Sequence, residues 1–95
     1  MLSVLAAEYL GDHKVHLSFN NGKAGIADLA DAIKNDRRPV FLALQDKTQF
    51  QQFKVEHNTL VWPNTLDLAP EYLFFITFKT EDNLQDQFKQ WGYLT

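Results

Sequence analysis

A chain of 95 residues, 45% apolar and 22% charged, has the composition of one compact domain rather than a disordered segment. It holds no cysteine, which excludes a disulfide framework, thiolate chemistry and a zinc-thiolate site. A net charge of −3 gives no electrostatic footprint for a phosphate backbone, and no apolar run approaches the roughly 20 residues of a membrane span.

Leu2 to Tyr9 reads as a first strand, with a turn at Gly11-Asp12. From Lys14 the pattern alternates. Val15, Leu17 and Phe19 fall on one side, and Lys14, His16, Ser18 and Asn20 on the other, as in a half-buried strand. Asn21-Gly22 follows at once and suits a two-residue type I′ turn, because both residues tolerate positive φ. The return strand spans Lys23 to Ala27, with Ile26 as its expected core residue. Asp28 stands where a helix cap belongs, and Leu29, Ala32 and Ile33 share one face of a helix ending near Asn35. After the charged link Asp36-Arg37-Arg38, Pro39 suits the first turn of a helix. Val40 to Leu44 is expected to be buried, as either helix or strand, and Asp46 to cap one more turn through Phe50.

A second hairpin follows. Phe53, Val55 and His57 alternate with Lys54 and Glu56, which places His57 inward near the hairpin end. Asn58-Thr59 is the expected turn and Leu60-Val61-Trp62 the return. Asp67 is expected to cap a helical turn that opens at Ala69-Pro70. Tyr72 to Phe78 has strand-favouring composition behind a helix-favouring start, and reads as one or two helical turns followed by extended chain. A C-terminal helix is expected over about residues 80–91, capped by Thr80, with Leu84, Phe88 and Trp91 at i, i+4, i+7 and a stop at Gly92. The fold class is therefore α+β: a small single domain over residues 1–95, with an antiparallel meander and hairpin, short helices and a C-terminal amphipathic helix.

Several stretches carry a resemblance. They are Phe19-Asn20-Asn21-Gly22, Ala27-Asp28-Leu29, Phe41 through Leu44-Gln45-Asp46, and Phe50, Phe53 and Val55. Most specific is Trp62-Pro63-Asn64 followed by Asp67-Leu68-Ala69-Pro70-Glu71-Tyr72-Leu73. Together, over roughly residues 4 to 73, they resemble the bacterial family "domain of unknown function 2442". The family's glycine after the asparagine is Thr65 here, which argues against positive φ at that position. Members resemble small α+β domains. Some stand alone, some precede a helix-turn-helix, and some are encoded beside a second small protein, as toxin–antitoxin pairs are. The resemblance implies a regulatory or binding role and brings no catalytic residues.

Trp62, Asn64, Asp67 and Glu71 form a candidate binding cluster. The preferred reading is structural, with Trp62 in the core and Asn64 and Asp67 holding the turn and capping the helix. Leu84, Phe88 and Trp91 form a candidate interface, either covering their own sheet or docking on another chain; the first is preferred. His13 and His16 are read as solvated rather than metal ligands, and His57 as a hydrogen-bonded, partly buried side chain rather than a general base. Ser3 and Ser18 sit in no nucleophile elbow. Asp28 and Asp31 are read as a cap and its solvated neighbour, and Arg37-Arg38 as a solvated link. The expectation is a cytoplasmic, non-catalytic interaction or regulatory module with no cofactor, metal or membrane. It would act through a protein partner or by self-association, with one half of a toxin–antitoxin-like pair among the forms this takes. The first alternative is a nucleic-acid-binding component of a transcriptional regulator, the second a small-ligand, metal-binding or enzymatic domain.

Overall fold

Hairpin turns organise the chain into two small antiparallel sheets. In the computed structural model, which describes residues 1–94, the first sheet has the order β1 (Val4–Gly11), β2 (Lys14–Phe19), β3 (Ala24–Asp28). The second has the order β4 (Lys54–Glu56), β5 (Thr59–Val61), β6 (Asp67–Leu68). Between them in sequence come α1 (Ala30–Asn35), α2 (Pro39–Ala43) and α3 (Lys47–Phe50). After β6 come α4 (Pro70–Phe78), a 3-10 turn (Asp82–Leu84) and α5 (Gln85–Gln90). The class is α+β, as expected. No helix among the described residues is long and apolar enough to cross a membrane.

The type I′ turns fall elsewhere than expected. Asp12 and His13, with φ of 52° and 63°, join β1 to β2, and His57 and Asn58, with φ of 52° and 69°, join β4 to β5. His57 is therefore an exposed turn residue and does not point inward. The β2–β3 loop has three residues, not two: the Gly22 N–H donates to the Phe19 carbonyl (3.2 Å), the Phe19 N–H donates to the Lys23 carbonyl (2.9 Å), and in the Asn21-Gly22 pair only Gly22 has positive φ. The β5–β6 loop repeats this pattern. The Thr65 N–H donates to the Trp62 carbonyl (3.1 Å) and the Trp62 N–H to the Leu66 carbonyl (2.9 Å). Thr65 takes the place of Gly22 with φ of 74°, so the positive φ persists without the glycine.

Pairing register decides which side chains face the core. Val15, Leu17 and Phe19 of β2 are buried, opposite Tyr9, Ala7 and Val4 of β1. On β3, Ala27 lies opposite Val15 and is fully buried. Ile26 lies opposite His16 on the outer face and is 53% exposed, so it is not the core residue of its strand. The period of two leaves only one of these neighbours inside.

Several helix boundaries also differ. Asp28 ends β3, and its carboxylate accepts from the Ala30 N–H (3.1 Å), while Leu29 is the cap residue of α1. Asp46 caps α3 as expected, accepting from the Thr48 N–H (2.8 Å). Asp67 caps nothing: it is paired in β6, and Ala69 precedes α4 without a side-chain cap. Pro70 removes one of the free N–H groups at that helix start. Tyr72 to Phe78 is helical throughout, with no extended part. Its strand-like composition is overridden because Leu73, Phe74 and Phe78 are buried against the first sheet and α5. Thr80 is not a cap; the turn after α4 delays the 3-10 turn to Asp82, behind Glu81.

The C-terminal stripe is a cover for its own domain. Phe88 is fully buried, with ring centroids 5.1 Å from Phe75 and 6.2 Å from Phe74. Gly92 (φ 88°) stops α5, as its N–H reaches the Lys89 carbonyl and the Tyr93 N–H reaches the Phe88 carbonyl, both at 3.0 Å.

Two substitutions test these contacts. A Cβ on Gly25 would lie 2.8 Å from Cγ2 of Thr77, whose rotamer is fixed by its hydroxyl donating to the Leu73 carbonyl (2.7 Å). Gly25→Ala is expected to cost about 1–3 kcal/mol in urea unfolding, with part recovered by adding Thr77→Ser. Thr65→Gly should stabilise by about 1 kcal/mol by relieving a β-branched residue from the left-handed region. No gain in urea midpoint would show that Thr65 is not strained.

Candidate functional site

The four residues of the expected binding cluster do different things. The Trp62 indole is buried, and its Nε1–H donates to the Phe50 carbonyl (2.8 Å). The Asn64 amide nitrogen donates to the Val40 carbonyl (3.0 Å), and its oxygen accepts from the Leu66 N–H (3.3 Å). Trp62 and Asn64 therefore serve backbone acceptors of the short helices α3 and α2. They border a shallow groove of about 360 Å³ with Leu44, Gln49 and Gln52, and neither Asp67 nor Glu71 lines it. Asp67 is exposed on β6, and Glu71 lies in the first turn of α4.

The histidines do not converge on a site. His13, expected to be solvated, is part-buried: Nε2 lies 2.7 Å from the Leu44 carbonyl, to which a ring N–H donates, and the ring packs on Phe50 at 4.6 Å. His16 lies on the outer face of β2, and His57 is in a turn. Among the described residues no three His, Asp or Glu side chains are grouped to hold a metal ion.

Local carboxylates occupy several cations. The Arg38 guanidinium grips Asp36 with Nε and Nη2, at 3.0 Å and 2.8 Å, and stacks over Phe41 at 4.8 Å. Its hydrogen bonds hold the Asp36 carboxyl below the usual range, and Asp36 in turn raises Arg38. Lys47 donates to Asp12 (2.7 Å) and lowers that carboxyl in the same way.

The larger concavity lies by the C-terminal stripe. A groove of about 450 Å³ has a floor of Leu2, Phe74, Leu84 and Trp91, and a rim of Asn20, Asn21, Lys23 and Gln87. Two of the three expected interface residues, Leu84 and Trp91, are thus half-buried in a groove, while Phe88 lies beneath it and offers no surface. Trp91 packs against Phe74 (6.0 Å) and Phe88 (6.0 Å). The rim is polar but mostly engaged. Asn20 accepts from the Ser3 N–H and donates to the Met1 carbonyl, and Asn21 accepts from the Lys23 N–H. Lys23 lies 3.4 Å from Glu81 and over the Phe78 ring. Beside this groove Tyr93 stacks on Phe75 at 5.0 Å, and its hydroxyl is pushed up by burial and then by the charges of Glu71 and Tyr72. Burial, then Asp36, raises Tyr72 likewise. The concavity thus has an apolar floor and a rim rich in amides.

Leu84 and Trp91 are legible in the sequence from their helical period. Phe74 is not, because the strand-like composition of Tyr72 to Phe78 hides the helix that carries it, and neither are Asn20, Asn21 and Lys23, which lie more than fifty positions away in the chain.

The model of the family described as "protein of unknown function (DUF2442)" matches residues 4–78. No curated protein matches the chain. Among solved structures, the crystal structure of a candidate DNA-binding protein from Nitrosomonas europaea ATCC 19718 is similar, with a TM-score of 0.73 at 12% identity. The likeness covers 100% of this chain and 63% of that one, so this chain spans less than two thirds of that protein's length. At that identity the likeness is one of fold.

The different roles of the Trp62–Glu71 residues predict different costs. Asn64→Ala leaves the Val40 carbonyl without its donor and should cost about 1–2 kcal/mol. Asp67→Ala should stay within about 0.5 kcal/mol, because the side chain is exposed and caps no helix. Equal costs in urea unfolding would refute this division.

Proposed function

The chain belongs to the DUF2442 family, whose description assigns no activity, and from that premise we propose that it is a non-catalytic interaction module that takes a bulky apolar side chain of a protein partner. The groove of about 450 Å³ over Phe74, Leu84 and Trp91 is the observation that supports this reading. Docking an anchor there removes apolar surface from water on both sides, and tryptophan-lined hollows concentrate binding energy. The Gln87 amide on the rim offers a donor and an acceptor to the backbone beside such an anchor. Its polar lining is amides and one lysine already beside Glu81, which supports binding over catalysis. A binary complex of the toxin–antitoxin kind and a cytoplasmic setting belong to the same proposal.

A second reading has an observation in its favour. The similar Nitrosomonas protein is named as a candidate DNA-binding protein, and 37% of its length lies outside the likeness (100% less the 63% covered). In this reading the present fold is the regulatory part of a DNA-binding regulator. Local charge weakens direct contact by this fold: of nine Lys and Arg side chains, Lys23, Arg38 and Lys47 already lie against carboxylates.

One experiment separates the two readings. A partner recovered from the native host is reconstituted with the purified chain and titrated by calorimetry, alongside duplex DNA at several salt concentrations. Gln87→Lys and Trp91→Ala should each weaken the protein complex at least about tenfold, near 1.4 kcal/mol, with the circular dichroism spectrum retained. DNA binding should remain weak and steeply salt-dependent. Submicromolar DNA binding, or a protein complex indifferent to both substitutions, would remove the groove reading.

A further inference from the structure

β3 has one edge paired and one edge open. Gly25 and Ala27 lie opposite Leu17 and Val15 of β2. The Phe19 N–H to Lys23 carbonyl bond and the Leu29 N–H to His13 carbonyl bond (3.0 Å) flank them in the same series. In an antiparallel ladder hydrogen-bonded pairs alternate with non-bonded ones. The odd-numbered residues of β3 therefore bond to β2, and Ala24, Ile26 and Asp28 turn their N–H and C=O groups away from it. The strand order ends at β3, so among the described residues no strand meets those groups.

Open edges are usually blunted by bulges, prolines, outward lysines or a covering element. The other edge of this sheet follows that rule. β1 shifts register between Val4 and Ala6 and again between Tyr9 and Gly11, and its Val4 N–H donates to the Asn58 carbonyl of the neighbouring hairpin turn (2.9 Å). β3 has an unbroken register, no proline and no lysine within its span; α4 packs on one face of it at Gly25, against Thr77 and Phe78, and on the other face Ile26 is 53% exposed at the centre of the strand.

We infer that this edge is completed by a second copy of the chain, β3 against β3 in antiparallel pairing about a two-fold axis at Ile26. The register follows from the backbone. Centred on Ile26, every outward-turned group finds a partner: Ile26 pairs with Ile26 of the second copy, and Ala24 with Asp28. Centred on Gly25, Asp28 would face loop residue Gly22 and its N–H and C=O would be lost to the ladder. Charge does not oppose this axis: an antiparallel two-fold puts the two Asp28 side chains at opposite ends of the pairing, and the groove of about 360 Å³ at the C-terminal end of β3 holds Lys79 as well as Asp28, Asp31 and Asp36. A same-patch, self-complementary contact of this kind is what a two-fold homodimer requires. Pairing five-residue strands covers a small area, so the dimer is a rapidly exchanging one. No residue of the groove floor at Trp91 lies on β3, and the two proposals stand independently.

Sedimentation equilibrium of the full chain tests it, over roughly 10–500 µM to span weak association. The expected result is a rise from the 11.0 kDa chain mass towards twice that value. Ile26→Lys places two like charges on the axis and should weaken association more than tenfold, whereas Ile26→Val should preserve it. Amide exchange by NMR reads the register directly. Gly25 and Ala27 should be protected at every concentration, and Ala24, Ile26 and Asp28 only as the dimer forms. A wild-type chain that stays monomeric throughout overturns the inference. So does a dimer that survives Ile26→Lys, or one in which the even-numbered amides exchange freely. If Ile26→Lys abolishes the dimer but leaves partner binding at the groove intact, the dimer edge and the groove are separate surfaces.

Discussion

The hydrogen bond from the Trp62 indole to the Phe50 carbonyl holds the middle of this fold together. Phe50 is the last residue of a four-residue helix, and a helix that short leaves most of its carbonyls without an internal partner. Trp62 satisfies one of them from the start of the β5–β6 loop, and its ring packs on Phe50 at 5.7 Å and Phe53 at 6.1 Å. The neighbouring helix is served in the same way: Asn64 donates to the Val40 carbonyl, and His13 to that of Leu44. Side chains from hairpin loops thus close the ends of helices too short to be stable alone. This gives the Trp62-Pro63-Asn64 step a physical meaning. It is a clamp on α2 and α3, with Pro63 setting the chain between two donors.

Much of this was legible from the residues. The alternation of β2, the proline start of α2, the Asp46 cap and the stripe of Leu84, Phe88 and Trp91 each rest on local periodicity or local capping, and local rules suffice for them. The errors share a different cause. Whether Ile26 or Ala27 faces inward is set by the loop that fixes the β2–β3 register, and Asn20-Asn21-Gly22 adds one residue to the expected turn. Asp67 looks like a cap until β5 recruits it as a strand residue opposite Val61. Tyr72 to Phe78 has strand-forming residues, and the burial of Leu73, Phe74 and Phe78 overrides that preference. The groove was half legible, since Leu84 and Trp91 carry a period while its rim comes from a distant loop.

The aromatic residues explain why the C-terminal segment is needed. Phe74 touches Phe19 of the first sheet at 5.1 Å and Trp91 of the cover at 6.0 Å, so one ring joins the sheet to the C-terminal turn. Gly25 lets α4 approach the sheet closely enough for this, because any side chain there would meet Thr77 and Phe78. The six-residue α5 is too short to seal the layer it covers. The uncovered remainder between Leu2, Phe74 and Trp91 is the groove. The same packing that completes the core leaves a concave apolar surface.

Fold and chemistry separate clearly in this molecule. The whole of the chain superposes on part of a longer protein at 12% identity, so its architecture survives replacement of most side chains. In this chain the fold rests on a set of physical requirements. A donor must reach the end of α3, a residue must tolerate the left-handed conformation at position 65, and a glycine-sized gap must lie under α4. None of these requirements is catalytic. A scaffold held by such constraints leaves much of its surface free to vary without loss of the fold.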